Sequence, residues 1–349
     1  MRSLAAAALA IVASISSASA QESRVFGDWV VGCDNLRRCS AVGLAPMDGE
    51  HLAFVSVVRD GSARAVPRLT VALYSETLYP GTPLTLAFDD ALEERLRAAA
   101  NEQLNGFLRA EIAGEPLTVA LEGVRRADRL GVTGDAGGPG ETAATVSLVG
   151  AAAALRFMDD RQRRAGTVTA LIARGREPAD SVPAVPVMPT VAAEPMRELP
   201  DPGQSLPRSL AGIGTADSGC ADGADPIAAR LSASVMLWGV CESAGAYNLS
   251  YALFLVADGE ASPVVLEVPD PERGNRLIDQ GNILVNPYIV EDGLVLSSFA
   301  RGRGLGDCGI IADWAWDGSG FRLLGYTVME ECRGVPVDDW PVLYRAGRR

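Results

Sequence analysis

Six cysteines in three near-neighbour pairs, Cys33 with Cys39, Cys220 with Cys241 and Cys308 with Cys332, constrain this chain more than any other feature. An even set of cysteines behind an export leader reads as a disulfide framework. The leader is present in the first twenty residues. Arg2 precedes an apolar run from Leu4 to Ile15, and Ala18-Ser19-Ala20 supplies the small-residue exit, so residues 1–20 are expected to be removed. Pairing each cysteine with its neighbour keeps every bridge inside one loop or hairpin, and each closure stabilises by roughly 2 to 3.5 kcal/mol through lost unfolded-chain entropy. No pair has the C-x-x-C spacing of a redox site, and no second histidine or close cysteine completes a metal site.

The residue inventory removes whole classes of chemistry. All 31 cations are arginine, so there is no lysine for a Schiff base or a phosphate loop, and His51 is the single imidazole. A serine triad would have to use His51 and lacks a G-x-S-x-G elbow, which leaves His51 a structural or merely exposed residue. The net charge of −13, or −14 once Arg2 leaves, disfavours nucleic acid as a partner. No stretch reaches the roughly 18 unbroken apolar residues of a membrane span, so the sequence predicts a soluble periplasmic or secreted protein without a transmembrane segment.

Composition divides the mature chain. Eight prolines fall between Pro178 and Pro207, a density that no helix or central strand tolerates. The expected organisation is an N-terminal domain over 21–177, a semi-rigid proline-rich linker over 178–207 and a C-terminal domain over 208–349. In the last, β-branched and apolar runs recur at 233–241, 246–257, 262–268, 282–290, 293–300, 309–316 and 321–329, separated by turn signals such as Asp258-Gly259 and Asp317-Gly318-Ser319-Gly320. This is an all-β antiparallel meander forming a sandwich or barrel. Ile310, Ala312, Trp314 and Trp316 share one face of its last hairpin, Asp313 and Asp317 the other, and Cys308 with Cys332 clamp the base. The N-terminal domain reads as α+β. Strands are expected at 25–33, 51–59, 68–75, 84–88, 117–122 and 167–173, helices at Asp90–Leu104 and Ala144–Met158, and a glycine-rich loop at Gly131–Gly140. The fold class is therefore mainly β, with two β-rich domains.

Phe26-Gly27-Asp28-Trp29 with Cys33-Asp34-Asn35 and Arg38-Cys39, then Asp307-Cys308-Gly309, Trp314-Ala315-Trp316-Asp317-Gly318, Glu331-Cys332-Arg333-Gly334 and Trp340-Pro341, resemble the exported bacterial family called domain of unknown function 1176. The resemblance spans nearly the whole mature chain and is weakest in the proline-rich segment. It implies a periplasmic protein of Gram-negative bacteria with no assigned activity, ligand or catalytic residue. The N-terminal motif is also similar to the start of the invasion-associated locus B proteins, which implies a β-rich fold and an envelope location.

Candidate sites are weighed on chemistry alone. Trp314 and Trp316 could form a platform for a sugar ring or a partner's apolar side chain, although aromatics at strand alternation normally mark the core. Arg301 precedes and Arg303 lies within the glycine run Gly302–Asp307, which could cradle an anion but precedes a strand and reads as a bulged connector. Asp217, Asp222 and Asp225 could gather calcium, yet the spacing is not that of an EF-hand. Arg37, Arg38, Arg161, Arg163 and Arg164 suit phosphates or an acidic partner, or form solvated faces. Asp159-Asp160, Glu330-Glu331 and Asp338-Asp339 are adjacent carboxylates whose side chains diverge on a strand.

Two functions follow from this inventory. The first is a non-catalytic binding or interaction module for an envelope component, protein or glycan, needing no cofactor and no metal. The alternative is a carboxylate-dependent hydrolase of a cell-wall glycan, which requires two acidic groups facing one cleft at roughly 5 to 9.5 Å.

Overall fold

The computed structural model describes residues 22–47, 49, 52–89, 96–135, 142–201, 203, 206–213, 219–220, 224–270, 276–290 and 293–349. The expected leader, His51, Asp217 and Asp222 lie outside these residues, as do 136–140 of the expected glycine-rich loop.

The N-terminal lobe comprises β1 (Glu22–Phe26), β2 (Trp29–Cys33), β3 (Cys39–Gly43), β4 (Ala53–Arg59), β5 (Arg68–Tyr74), β6 (Pro83–Phe88), β7 (Leu96–Ala99), β8 (Glu102–Leu104), β9 (Phe107–Ile112), α1 (Glu115–Arg126), β10 (Arg129–Gly134), β11 (Thr142–Ser147) and α2 (Ala151–Arg161). A seven-stranded antiparallel sheet runs in the order β1-β2-β3-β4-β5-β9-β8, and a second sheet runs β11-β10-β6-β7. One face of the large sheet, with Trp29, Val31, Val55, Val57, Val71 and Leu108, packs against both helices and the small sheet. The opposite face is apolar at one end and polar at the other. Val42, Phe54, Ala72 and Phe107 sit where the second lobe covers them, whereas Ser40, Ser56, Thr70 and Glu111, two or four residues along the same strands, border an open cleft. Period-two alternation is thus muted in β2, which is buried on both sides along its length.

Four local expectations fail here. The expected strand at 117–122 is α1, whose Leu117, Ala120 and Val124 form its buried stripe, with Pro116 in the first turn and Arg125 and Arg126 in the last. The described part of the expected helix Asp90–Leu104 is strand: β7 zips onto β6, and β8 onto β9. The second expected helix begins only at Ala151, because 142–147 pair with β10, which itself takes up the start of the expected glycine loop. The expected strand at 167–173 is irregular. The backbone N–H groups of Leu171, Ile172 and Ala173 donate at 2.7, 2.7 and 3.0 Å to the buried carboxylate of Asp159 rather than to a strand.

Nor are the arginine runs solvated faces throughout. Arg164 is fully buried, donating to the carbonyls of Ala63 and Ser62 and to the Gln162 side chain, and Arg37 bonds the carbonyls of Pro183 and Ala184. These guanidinium forks satisfy loop carbonyls that no strand pairs.

The proline-rich segment is extended and fastened at several points. Its short strand β12 (Thr190–Val191) runs parallel to β26 (Gly347–Arg348), β13 (Arg197–Glu198) adds to the C-terminal lobe, and Met196 enters that lobe's core. The C-terminal lobe is an antiparallel sandwich. One sheet contains β13, β14 (Ile227–Arg230), β15 (Val235–Ala244), β16 (Leu249–Ala257) and β17 (Glu260–Pro263), with β20 (Ile283–Val285) also on β16. The other is the meander β21 (Pro287–Ile289), β22 (Leu296–Arg301), β23 (Gly309–Trp316), β24 (Phe321–Met329) and β25 (Val342–Arg345). A separate hairpin joins β18 (Glu267–Asp270) to β19 (Arg276–Asp279). Leu237, Leu253, Ala312, Trp314, Trp316 and Leu323 fill the space between the sheets.

All three disulfides join nearest neighbours, with S–S distances of 2.01, 2.02 and 1.94 Å in chain order. Cys33 and Cys39 are direct partners across β2 and β3, and Cys308–Cys332 closes the base of the β23–β24 hairpin.

Asp313 faces away from this core and is half-buried, with Ser297 Oγ donating to it at 2.6 Å. Burial pushes its carboxyl above the ordinary 3.8, against the pull of that hydrogen bond. A carboxyl raised in the folded state contributes stability below its unfolded pKa and loses it as pH rises through the folded value. Asp313→Asn is therefore expected to stabilise the protein at neutral pH, by about 1.4 kcal/mol per unit of that lift, and to lose its advantage in acid. Urea unfolding at both pH values measures the gap, and a gap independent of pH would refute the assignment.

Candidate functional site

The two lobes meet along a continuous apolar seam in which Val30, Val42, Leu44, Phe54 and Phe107 pack against Cys308, Met329, Val335 and Trp340. Gly32 admits the second lobe: a Cβ there would lie 2.6 Å from Leu343 Cδ2 and 2.7 Å from Pro341 Cβ. Polar clamps flank the seam. Arg109 grips Asp339 with two 2.6 Å hydrogen bonds, Asn35 exchanges bonds of 2.9 and 2.8 Å with the Arg345 backbone, and Arg333 reaches Asp28 at 2.8 Å.

Where the lobes diverge, two cavities open. The smaller, about 270 Å³, is polar: Ser40, Ser56, Arg68, Thr70, Glu102 and Glu111 line its sheet side, and Asp338, Asp339 and Arg345 its far wall. Its acidic groups are unlike a catalytic pair. Asp339 is held by Arg109, Asp338 accepts from Asn105 at 2.9 Å, and Glu102 and Glu111 are exposed on neighbouring strands. No described carboxyl there sits unpaired in an apolar surround, which is what holds a general acid protonated.

The larger cavity is a groove of about 690 Å³. Leu52, Tyr74 and Phe107 come from the first lobe, Phe299, Leu305, Val335 and Val337 from the second. The aromatics brace one another edge-on, Tyr74 to Phe107 at 5.4 Å and Phe299 to Trp340 at 5.8 Å. Gly106, at φ +79°, lets Tyr74 fold across the β8–β9 turn, because a Cβ there would lie 2.5 Å from its ring. Over the rim hangs the glycine run, fixed at its base and free at its tip. The Gly302 N–H donates to the Cys308 carbonyl at 2.9 Å, Tyr247 Oη donates to the Gly302 carbonyl at 3.1 Å, and Leu305 is 80% exposed.

The run does not form an anion nest. The N–H groups of Gly302 and Gly306 are spent on the carbonyls of Cys308 and Arg303, in keeping with a bulged connector. Arg303 forks onto Asp307, which also accepts from the Gly334 N–H at 2.6 Å. Burial pushes the Asp307 carboxyl up, but these donors outweigh it and hold it below the usual carboxylate range. The groove's only described carboxylate is thereby neutralised by Arg303. Arg301, exposed at the rim, stacks 5.3 Å above the Phe299 ring and has no acidic partner among the described residues.

Of the four binding residues expected from sequence, Arg301 and Arg303 converge on this groove. Trp314 and Trp316 do not; both are buried in the sandwich, where Trp314 Nε1 donates to the Glu267 carbonyl at 3.0 Å. Asp225 offers its backbone carbonyl to Tyr251 Oη at 3.3 Å. Among the adjacent carboxylates Asp160 pairs with Arg156, and Glu331 lies 3.8 Å from Arg333. Tyr74, Asn105, Phe107 and Val337 gave no sequence signal, since they meet the glycine run only through packing of the lobes.

The family model described as protein of unknown function (DUF1176) matches residues 23–347. An uncharacterized protein of Escherichia coli (strain K12), YpfG, is 28% identical over 351 residues, covering 93% of each chain. Among solved structures, invasion associated protein B of Bartonella henselae is similar to 41% of this chain over 99% of its own, at 15% identity and a TM-score of 0.33. A Ca2+-stabilized adhesin that helps an Antarctic bacterium reach out and bind ice matches 84% of each chain at 10% identity and a TM-score of 0.17.

Proposed function

We propose that this chain, which belongs to the DUF1176 family, is an exported, non-catalytic binding protein of the cell envelope that holds its ligand in the groove between its lobes. In this reading it works in the periplasm, or secreted, as two domains, 21–177 and 208–349, joined by the 178–207 segment. The observation that carries the reading is the groove itself. Its volume of about 690 Å³ falls within the range of roughly 300 to 1,000 Å³ usual for small-molecule sites. Its walls are apolar and aromatic, and its described carboxylate, Asp307, is fully committed to Arg303 and Gly334. Such a lining binds by excluding water and has little with which to move a proton.

A neutral apolar dye, N-phenyl-1-naphthylamine, tests this. The full chain is expected to bind one equivalent with enhanced fluorescence. Val337→Glu places a carboxylate in the groove from a half-buried position in a short turn and should weaken the dye by about tenfold or more at a temperature where its melting curve shows the chain still folded. Equal binding by the two proteins, or no stoichiometric binding at all, defeats the reading.

A further inference from the structure

We infer that the ligand of this groove is a single-chain amphiphile with a carboxylate head, of the fatty-acid type, its head on Arg301 and its chain along Tyr74, Phe107, Val335 and Val337. The inference rests on the groove being the ligand site, and charge complementarity carries it further. The chain as a whole has a net charge of −13, yet the described groove is cationic: Asp307 is cancelled by Arg303, which leaves Arg301 as the uncompensated charge at the rim. A guanidinium lying over an aromatic ring is weakly hydrated on that side and presents a planar fork that fits a carboxylate one for one. Beyond it the described lining turns apolar.

A peptide fits this lining poorly. Each of its amides needs a partner, and the side-chain amide that the groove offers, Asn105, is already donated to Asp338. An alkyl chain makes no such demand. The glycine run supplies a cover: Leu305 stands 80% exposed at its tip, while the Cys308–Cys332 bridge and the Tyr247 hydrogen bond hold its base, so the tip can fold onto a bound chain without disturbing β22 or β23.

Displacement of N-phenyl-1-naphthylamine from the full chain by octanoate, decanoate and dodecanoate below micelle formation reads the inference directly. Affinity should rise about fourfold per added methylene while the chain still finds groove wall. Neutral decyl glucoside should be about tenfold weaker than decanoate, and Arg301→Gln should weaken decanoate by about tenfold relative to the dye and the glucoside. Arg301 is an exposed rim residue, so this variant folds. Equal displacement by decanoate and decyl glucoside, or an Arg301→Gln protein indistinguishable from the original, overturns the inference and leaves the groove as an apolar site. Dye bound but displaced by none of the three acids does the same. Failure of the dye itself to bind removes both.

Discussion

Full reduction of the three disulfides is expected to unfold the protein under conditions where the oxidised form is stable. The bridges close loops with sequence separations of 6, 21 and 24 residues, and loop-closure entropy assigns them about 2.4, 3.4 and 3.5 kcal/mol. Together that is about 9 kcal/mol, which matches the whole stability of a typical fold, about 5 to 15 kcal/mol. Reduction should also be ordered. Cys33 and Cys39 are both completely buried, whereas Cys220 and Cys332 are each partly exposed, so a reductant reaches Cys220–Cys241 and Cys308–Cys332 before Cys33–Cys39. Mass spectrometry of alkylated samples during reduction should show those two pairs opening before Cys33–Cys39, and the circular dichroism transition should follow the later openings. Export, as proposed, predicts that the full chain is recovered from the periplasm of a Gram-negative host, starting at Gln21 with all thiols paired. The same chain made without residues 1–20 in a reducing cytosol should fail to accumulate. A fully reduced protein with native circular dichroism and an unshifted melt would dismiss the sulfur framework as the source of stability.

How much of this was legible depended on whether the signal was local. The Asp317–Gly320 turn, the strands beside it and the nearest-neighbour cysteines depend on a few adjacent residues, and each forms as read. Helix α1 was legible and misread. Leu117, Val119, Ala120 and Leu121 look like a strand taken alone, but Gly114 and Pro116 before them, and Leu117, Ala120, Leu121 and Val124 at helical spacing, carry the helix signal. The 167–173 segment was not legible at all. Its apolar residues have strand propensity, but a carboxylate twelve residues upstream captures three of its N–H groups, and no periodicity encodes that. The burial of Arg164 is hidden for the same reason, since its partners are carbonyls of a loop about a hundred residues away. The groove follows this pattern. Arg301 and Arg303 stood out by composition, whereas Tyr74, Phe107 and Val337 are anonymous until Gly32 and the polar clamps bring the lobes together.

Replacing Arg109 by methionine is expected to cost about 3 to 5 kcal/mol at neutral pH, the usual loss when one partner of a buried ion pair is removed. The Arg109 and Asp339 side chains are each only 9% exposed and are joined by two charge-assisted bonds across the lobe interface. Arg109 also lies 5.7 Å above the Phe54 ring, contact that a methionine largely retains, so the loss isolates the charge. Burial already pushes the Asp339 carboxyl above its ordinary value; Arg109 opposes that, while Asp338 and Glu102 add to it. Without the arginine the carboxyl must rise further. An acid raised in the folded state is most favourable when protonated, so the deficit of Arg109→Met should shrink as pH falls through the new Asp339 pKa and be greatest above it. Adding Asp339→Asn removes the stranded charge, and the double variant should regain most of the stability at neutral pH while losing the pH dependence. The position of the pair makes the same experiment a test of the groove. On β9, Arg109 sits between Phe107 in the groove and Glu111 in the polar cleft, so a stranded Asp339 loosens the seam that shapes the groove. Dye binding should weaken in Arg109→Met and return in the double variant along with stability. Denaturant unfolding across pH gives the first result and dye titration the second. A deficit that is flat with pH, or one that the second substitution deepens, would mean that the buried pair is not what fastens the lobes.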